Sequence, residues 1–233
     1  MRINKFISET GICSRREADK WIEAGRVTIN GRIAELGSQA EVGDDVRVDG
    51  NQLGVKKPHI YIVLNKPVGI TCTTERHIHG NIIDYVNHTE RIFPVGRLDK
   101  DSEGLILLTN NGDIVNQILR AENSHEKEYI VTVDRQVTPQ FLEFMSRGVE
   151  IIGTITKPCE VVPISDYVFR IILTQGLNRQ IRRMCSAFDY QVRRLQRVRI
   201  MHIPIDGLKT GAWRELKSIE LKQLLSAIEV EGC

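Results

Sequence analysis

Apolar and polar positions alternate in two different ways along this chain. Over the first fifty residues the apolar positions are sparse and helically spaced: Ile3, Phe6 and Ile7 share one helical face, and Gly11 breaks the run. Ser14-Arg15-Arg16-Glu17 has capping-box spacing, so a second helix is predicted over residues 15–23, with Gly25 stopping it. Val27-Thr28-Ile29 alternates like a strand, and Asn30-Gly31 is a strong short-range hairpin signal because both residues tolerate positive φ. Val46-Arg47-Val48-Asp49-Gly50 supplies another strand and turn. Residues 51–59, with Gly54, Lys56, Lys57 and Pro58, are polar and poor in β-branched side chains, and they read as a linker. The expected division is therefore a module over 1–50, a linker over 51–59 and a larger domain over 60–233.

Beyond the linker the apolar residues gather into runs at 60–64, 105–108, 129–133 and 168–173, as in strands with both faces at least partly covered. Helical patterns lie between them. One spans 113–119 after an Asn-Gly turn, one starts at Thr138-Pro139 with an N-cap and a proline in the first turn, and one spans 218–228. The mixture indicates an α+β fold with no solenoid-type repeat.

Composition adds mainly exclusions. A hydrophobic fraction of 41% with 27% charged residues suits a folded globular chain. The N-terminus has no sustained apolar run and no stretch is long and apolar enough for a membrane span, so a cytoplasmic protein is expected. Cys13, Cys72, Cys159, Cys185 and Cys233 are scattered without a C-x-x-C pair, which implies neither disulfides nor zinc, and His77 and His79 read as part of a solvated loop. The 32 basic and 30 acidic residues nearly cancel, so any basic surface must be local. One face of the N-terminal module can gather Arg2, Lys5, Arg15, Arg16, Lys20 and Arg26, although eight basic and nine acidic residues share that module. A second concentration runs from Arg179 to Arg199, with seven arginines and the single acid Asp189. Guanidinium groups bind phosphate bidentately and stack on bases, so this run favours nucleic acid, with a solvated face as the alternative.

Three stretches stand out as possible chemistry. In Gly96-Arg97-Leu98-Asp99-Lys100-Asp101-Ser102-Glu103-Gly104, carboxylates and cations crowd between a Pro-Gly turn and a buried strand. Asp99 there can serve as nucleophile or general base if a cation keeps it ionised, or it can simply close an Asx-turn or surface ion pair. Gln175-Gly176-Leu177-Asn178-Arg179-Gln180-Ile181-Arg182-Arg183-Met184 predicts a helix whose core face holds Ile181 and Met184 while Arg182 looks elsewhere. In Lys127-Glu128-Tyr129, an aromatic opens an apolar strand, a position that more often packs than reacts.

Taken together these stretches resemble the RsuA/RluB/RluE/RluF family of bacterial pseudouridine synthases, over almost the whole chain. Leu64-Asn65-Lys66-Pro67-Val68-Gly69 is similar to the family's first motif, Gly96-Arg97-Leu98-Asp99 through Leu108-Thr109-Asn110-Asn111-Gly112 to its second, Gly176 through Met184 to its third, and Lys127-Glu128-Tyr129 to its Lys-x-Tyr. The first fifty residues are similar to the S-four type RNA-binding module. His125-Glu126-Lys127-Glu128-Tyr129 and Asn178-Arg179-Gln180 look most like the RluF subgroup, whose substrate class is large-subunit ribosomal RNA.

The resemblance implies a mixed, mainly antiparallel catalytic sheet with flanking helices behind a small module of two helices and short strands. It makes Asp99 the catalytic carboxylate, Arg182 its ion-pair partner, and Tyr129 the aromatic that stacks on the target base and assists removal of the carbon 5 proton. Arg97 fills the hole left by the flipped base; Arg179, Arg183 and Lys66, with Arg2, Lys5, Arg15, Arg16 and Lys20, contact RNA. No cofactor or metal is implied, and the partners are large-subunit ribosomal RNA and possible transfer RNA, bound by a monomer. The chain ends at Glu231-Gly232-Cys233 without the long basic tail of some relatives. Two other readings stay open: a non-catalytic RNA-binding assembly factor with a structural Asp99, and a glycosidic hydrolase using Asp101 or Glu103 as a second carboxylate.

Overall fold

The computed structural model describes residues 1–229, which fall into two compact units: residues 1–60 with 89–91, and residues 61–88 with the remainder from 92 onward. The chain end at residues 231–233 lies outside the described residues.

The first unit is built from α1 (Ile3–Glu9), α2 (Arg15–Glu23), β1 (Val27–Ile29), β2 (Arg32–Ile33), β3 (Val46–Val48) and β4 (Asn51–Gln52). The Ser14 hydroxyl accepts the Glu17 amide at 3.1 Å and starts α2, as the capping spacing predicts. Asn30 and Gly31, at φ 50° and 79°, turn the β1–β2 hairpin. Ile3, Ile7, Ala18, Ile22, Val27 and Val46 form its core, each large aliphatic contributing about 1.5–3 kcal/mol by burial. The polar segment read as a linker starts inside this sheet, because Asn51 and Gln52 pair with Val48 and Arg47. Exposed on both faces, such a strand carries no apolar signature.

The second unit contains β5 (Tyr61–Lys66), α3 (Ile82–Val86), β6 (Phe93–Val95), β7 (Glu103–Thr109), α4 (Asp113–Leu119), β8 (Lys127–Val133), α5 (Pro139–Arg147), β9 (Glu150–Ile151), β10 (Thr154–Ile155), β11 (Glu160–Ser165), β12 (Val168–Leu173), α6 (Gln180–Ser186), β13 (Val192–Ile200), β14 (Ile203–Pro204), β15 (Trp213–Glu215) and α7 (Ser218–Glu229). Its main sheet runs β11-β12-β8-β13-β7-β5-β15, with β14 beside β13 and β6 beside β7. Every pairing is antiparallel except β13 with β7, which meet in parallel through only Gln196–Glu103 and Arg197–Gly104.

That short parallel junction separates two cores. On one side α5 and α6 bury Phe141, Met145, Met184 and Cys185 against Val131, Phe169 and Ile171. On the other, α4 and α7 bury Ile114, Ile118, Leu224 and Ile228 against Val63, Leu105 and Leu107. Thr138 caps α5 by accepting the Phe141 amide at 3.1 Å, with Pro139 in the first turn.

Candidate active site

Gly104 sets how closely β7 and β13 approach. It has φ 108°, and a Cβ built on it would lie 2.2 Å from the Arg197 carbonyl oxygen and 2.6 Å from the Arg197 nitrogen. Only a residue without a side chain fits there. Over this junction lies a cleft of about 390 Å³, lined by the β6–β7 loop, β8, the end of β12, the start of α6 and β13.

Asp99 belongs to the β6–β7 loop. Gly96, at φ 76°, turns the chain out of β6. Leu98 then buries itself and its amide donates to the Cys72 Sγ at 3.5 Å. The Gly69 amide donates to the Lys100 carbonyl at 2.8 Å, and the Ser102 amide to the Asp99 carbonyl at 3.1 Å. A loop pinned at three backbone points presents its carboxylate in one place, and the Asp99 side chain is 29% exposed on the cleft wall.

The cation beside Asp99 is Arg179, whose Nη1 lies 3.5 Å from Asp99 Oδ2. The ion pair expected between Asp99 and Arg182 is not formed. Arg179 occupies the N-cap of α6 in the left-handed conformation, φ 50°, and its guanidinium grips Asp101 at 3.1 and 3.0 Å. Arg182 lies within the helix, where Nη2 donates to the Asp101 carbonyl at 2.9 Å and to Ser102 Oγ at 3.1 Å, and Nε stands 3.4 Å from Asp101 Oδ2. The hydrogen bonds from Arg179 hold the Asp101 carboxyl below the usual carboxylate range, with Arg182 adding to the effect. Arg182 thus braces the loop from behind, and Arg179, expected on RNA, faces Asp99.

Lys66 also departs from expectation. It is fully buried, at 0% exposed, and its Nζ donates to the Pro67 and Ile70 carbonyls at 2.9 Å each, so it cannot reach RNA from there. Burial lowers its pKa, opposed by Cys72 and by the carboxylates of Asp101, Asp99 and Glu103. It serves as a positive charge under the loop.

Tyr129 and Lys127 lie two residues apart on β8 and both line the cleft, with Leu173, Leu177, Ile181 and Leu195 as apolar walls. Arg97 is exposed at the same cleft. Of the seven arginines between 179 and 199, Arg194 pairs with Glu103, Arg199 with Glu126 and Glu128 at 2.9 and 2.7 Å, and Arg179 and Arg182 with Asp101. Arg183 and Arg193 are exposed with no carboxylate among the described residues, so the basic run presents less free charge than its composition implies. Arg197 belongs to that run in sequence but is buried in the cleft. Its inward position follows the period-two alternation with Leu195, which the count of arginines obscured. In the first unit Arg2, Arg15 and Arg16 are exposed, Lys20 lies 3.7 Å from Glu17, Lys5 3.7 Å from Glu9, and Arg26 is bound by Asp49.

Comparison with known proteins agrees with this architecture. Residues 60–187 match the family described as RNA pseudouridylate synthase, and residues 1–46 match the S4 domain. The chain is 55% identical over 98% of its length, and 80% of the relative's, to the dual-specificity RNA pseudouridine synthase RluF of Escherichia coli strain K12. It is 31% identical to the ribosomal large subunit pseudouridine synthase B of Bacillus subtilis strain 168, covering 96% of this chain and 95% of that one. A crystal structure of a pseudouridylate synthase superposes with a TM-score of 0.71 at 29% identity, over 96% of this chain and 99% of the other. With an S4 module ahead of a cleft-bearing mixed sheet, and with matches spanning both units, the chain belongs to the RNA pseudouridine synthase family, the isomerases that convert uridine in RNA to pseudouridine.

Proposed function

We propose that this chain isomerises uridine in large-subunit ribosomal RNA, in the cytoplasm and as a monomer, with Asp99 as the catalytic carboxylate. The observation that carries this reading is the cleft itself. It holds one carboxylate beside a guanidinium, an aromatic ring on the neighbouring strand and apolar walls, within a space suited to one extruded nucleoside. The name of the Bacillus subtilis relative specifies the large ribosomal subunit, and the Escherichia coli relative is named as dual-specificity, so a second RNA substrate belongs to the same proposal.

The chemistry follows from the charges. Breaking the bond between N1 of uracil and C1′ of ribose leaves C1′ electron-poor, and Asp99 attacks or stabilises that carbon. The base then turns over and C5 takes the place of N1. Tyr129 stacks on the base, and the apolar walls keep water from capturing the ribose. Extrusion costs a few kcal/mol, offset by stacking and by Arg97 entering the vacated position. In the first unit Arg2, Arg15 and Arg16 present exposed guanidinium groups for phosphate, and Arg183, exposed and held by Asn178, presents another.

The hydrolase alternative loses its second carboxylate, because Asp101 is held by Arg179 and Arg182 and Glu103 by Arg194. The test is pseudouridine mapping of ribosomal RNA from cells lacking the protein. Restoration of a lost large-subunit signal by wild type and not by Asp99→Asn supports the proposal. Restoration by Asp99→Asn overturns the role of Asp99, and no lost signal at any site overturns the substrate.

A further inference from the structure

Two cations lie at the base of the cleft with no carboxylate partner among the described residues. Lys127 is 7% exposed and Arg197 4%, and both line the cleft with Asp99 and Tyr129. Arg197 stands directly across from Tyr129 in the β13–β8 register, and Tyr129 shares a face of β8 with Lys127. Arg197 donates from Nε to the Leu105 carbonyl at 2.7 Å, while its Nη2 is buried with no hydrogen-bond partner among the described residues. Lys127 Nζ makes one hydrogen bond, to the His125 carbonyl at 3.2 Å, of the three an ammonium can donate.

This arrangement is costly for the free protein. Burial, with the Arg197 charge adding to it, pushes the Lys127 ammonium down to about 8. Elsewhere the domain gives its partly buried arginines glutamates: Arg199 has Glu126 and Glu128, and Arg214 has Glu220. Buried cations left without such partners, and with donors unspent, are compensated when an electron-rich group enters the cleft.

The substrate supplies such a group. When the N1–C1′ bond breaks, its electron pair stays with N1 and spreads by resonance onto O2 and O4 of the ring. C1′ meanwhile becomes electron-poor and is met by Asp99. No proton moves in this step; C5 then bonds to C1′ as any Asp99–C1′ bond breaks, and only afterwards does the C5 proton leave, assisted by Tyr129, to solvent while N1 takes one up, so the product has the same atoms as uridine. Opposite charges therefore develop at the two ends of one nucleoside, and the cleft holds an anion on its wall and two cations at its base. A phosphate would carry more charge, but it flanks the extruded nucleoside, whereas groups this deeply buried meet the base. We infer that Lys127 and Arg197 are further catalytic residues, which donate hydrogen bonds to the uracil carbonyl oxygens and hold the negative charge of the detached base. This rests on the cleft being the uridine site.

The experiment compares wild type, Lys127→Met, Lys127→Arg and Asp99→Asn in single turnover on unmodified large-subunit ribosomal RNA across pH, with RNA affinity and thermal midpoint measured for each. The charged group that acts on Lys127 is Arg197 on β13; Tyr129 on its own strand, Asp99 and Arg97 in the β6–β7 loop and Arg179 at the start of α6 line the same cleft, and His125 lies two residues before it. Lys127→Met is expected to slow turnover by about 10²-fold, the effect of removing one preorganised donor to a developing anion. Its RNA affinity should be unchanged, and its thermal midpoint no lower than that of wild type. Lys127→Arg restores part of the rate and removes the fall in wild-type rate expected above about pH 8. Wild-type turnover by Lys127→Met, or a slower rate that tracks a lowered thermal midpoint, overturns the inference while leaving the uridine site standing. Full activity in Asp99→Asn, or no conversion by wild type, instead overturns the underlying reading and this inference with it.

Discussion

Replacing Gly104 by alanine tests whether the close approach of β7 and β13 holds the candidate active site together. The added Cβ would stand 2.2 Å from the Arg197 oxygen and 2.6 Å from its nitrogen, both backbone atoms that cannot swing aside. The backbone is at φ 108°, where an L side chain is strained by about 1–3 kcal/mol. Overpacking adds roughly 1–3 kcal/mol, so the combined cost is about 4 kcal/mol. The sheet has little redundancy here, because only two residue pairs join these strands. At about 2–4 °C per kcal/mol for a domain of this size, the catalytic unit should melt roughly 8–16 °C lower. Scanning calorimetry resolves this against Gly112→Ala, whose Cβ meets nothing within 4 Å and should shift stability by less than about 1 kcal/mol. Activity should fall even below the melting range, since Arg197 moves with its strand. A Gly104→Ala protein that melts with wild type would refute the reasoning.

Three further outcomes follow from the geometry. Arg179→Met should cut turnover more than Arg182→Met, because Arg179 pairs with Asp99 and Arg182 does not, whereas Arg182→Met should cost more stability by removing a mostly buried brace of the Asp101–Ser102 turn; kinetics and urea unfolding on both variants decide, and the reverse order would be contrary. Ser14→Ala should lower the stability of the first unit by about 1 kcal/mol through loss of the α2 cap, read from chemical denaturation of the full chain in a Trp213→Phe background, where Trp21 is the remaining tryptophan. Lys127 has a lowered folded pKa, so its charge penalises the folded state below about pH 8, and the penalty disappears as pH rises toward the unfolded value of 10.5. Lys127→Met should therefore stabilise the protein most near neutrality, with the gain shrinking between pH 8 and 10.5; a gain constant across that range would contradict the assignment.

Local signals were legible wherever one residue's chemistry settles its neighbours' backbone. Ser14 and Thr138 as caps, Asn30-Gly31 as a turn, and the apolar runs that became β5, β7, β8 and β12 all lie in the order of residues along the chain. The motif around Asp99 was equally plain, as were the family resemblance and the pairing of an S4 module with a catalytic sheet. Partnerships between residues distant in sequence were decided only by folding. Whether Arg179 or Arg182 faces Asp99 depends on a left-handed residue at the start of α6 and on where an aspartate some eighty positions away lands. Lys66 looks like a phosphate contact in a motif and becomes a buried charge because β5 lies inside the sheet. The run of arginines looked like one surface, but strand alternation sends Arg197 inward while glutamates from other strands neutralise Arg194 and Arg199. Periodicity assigns a side chain to a face, and the tertiary structure alone determines which charge it meets there.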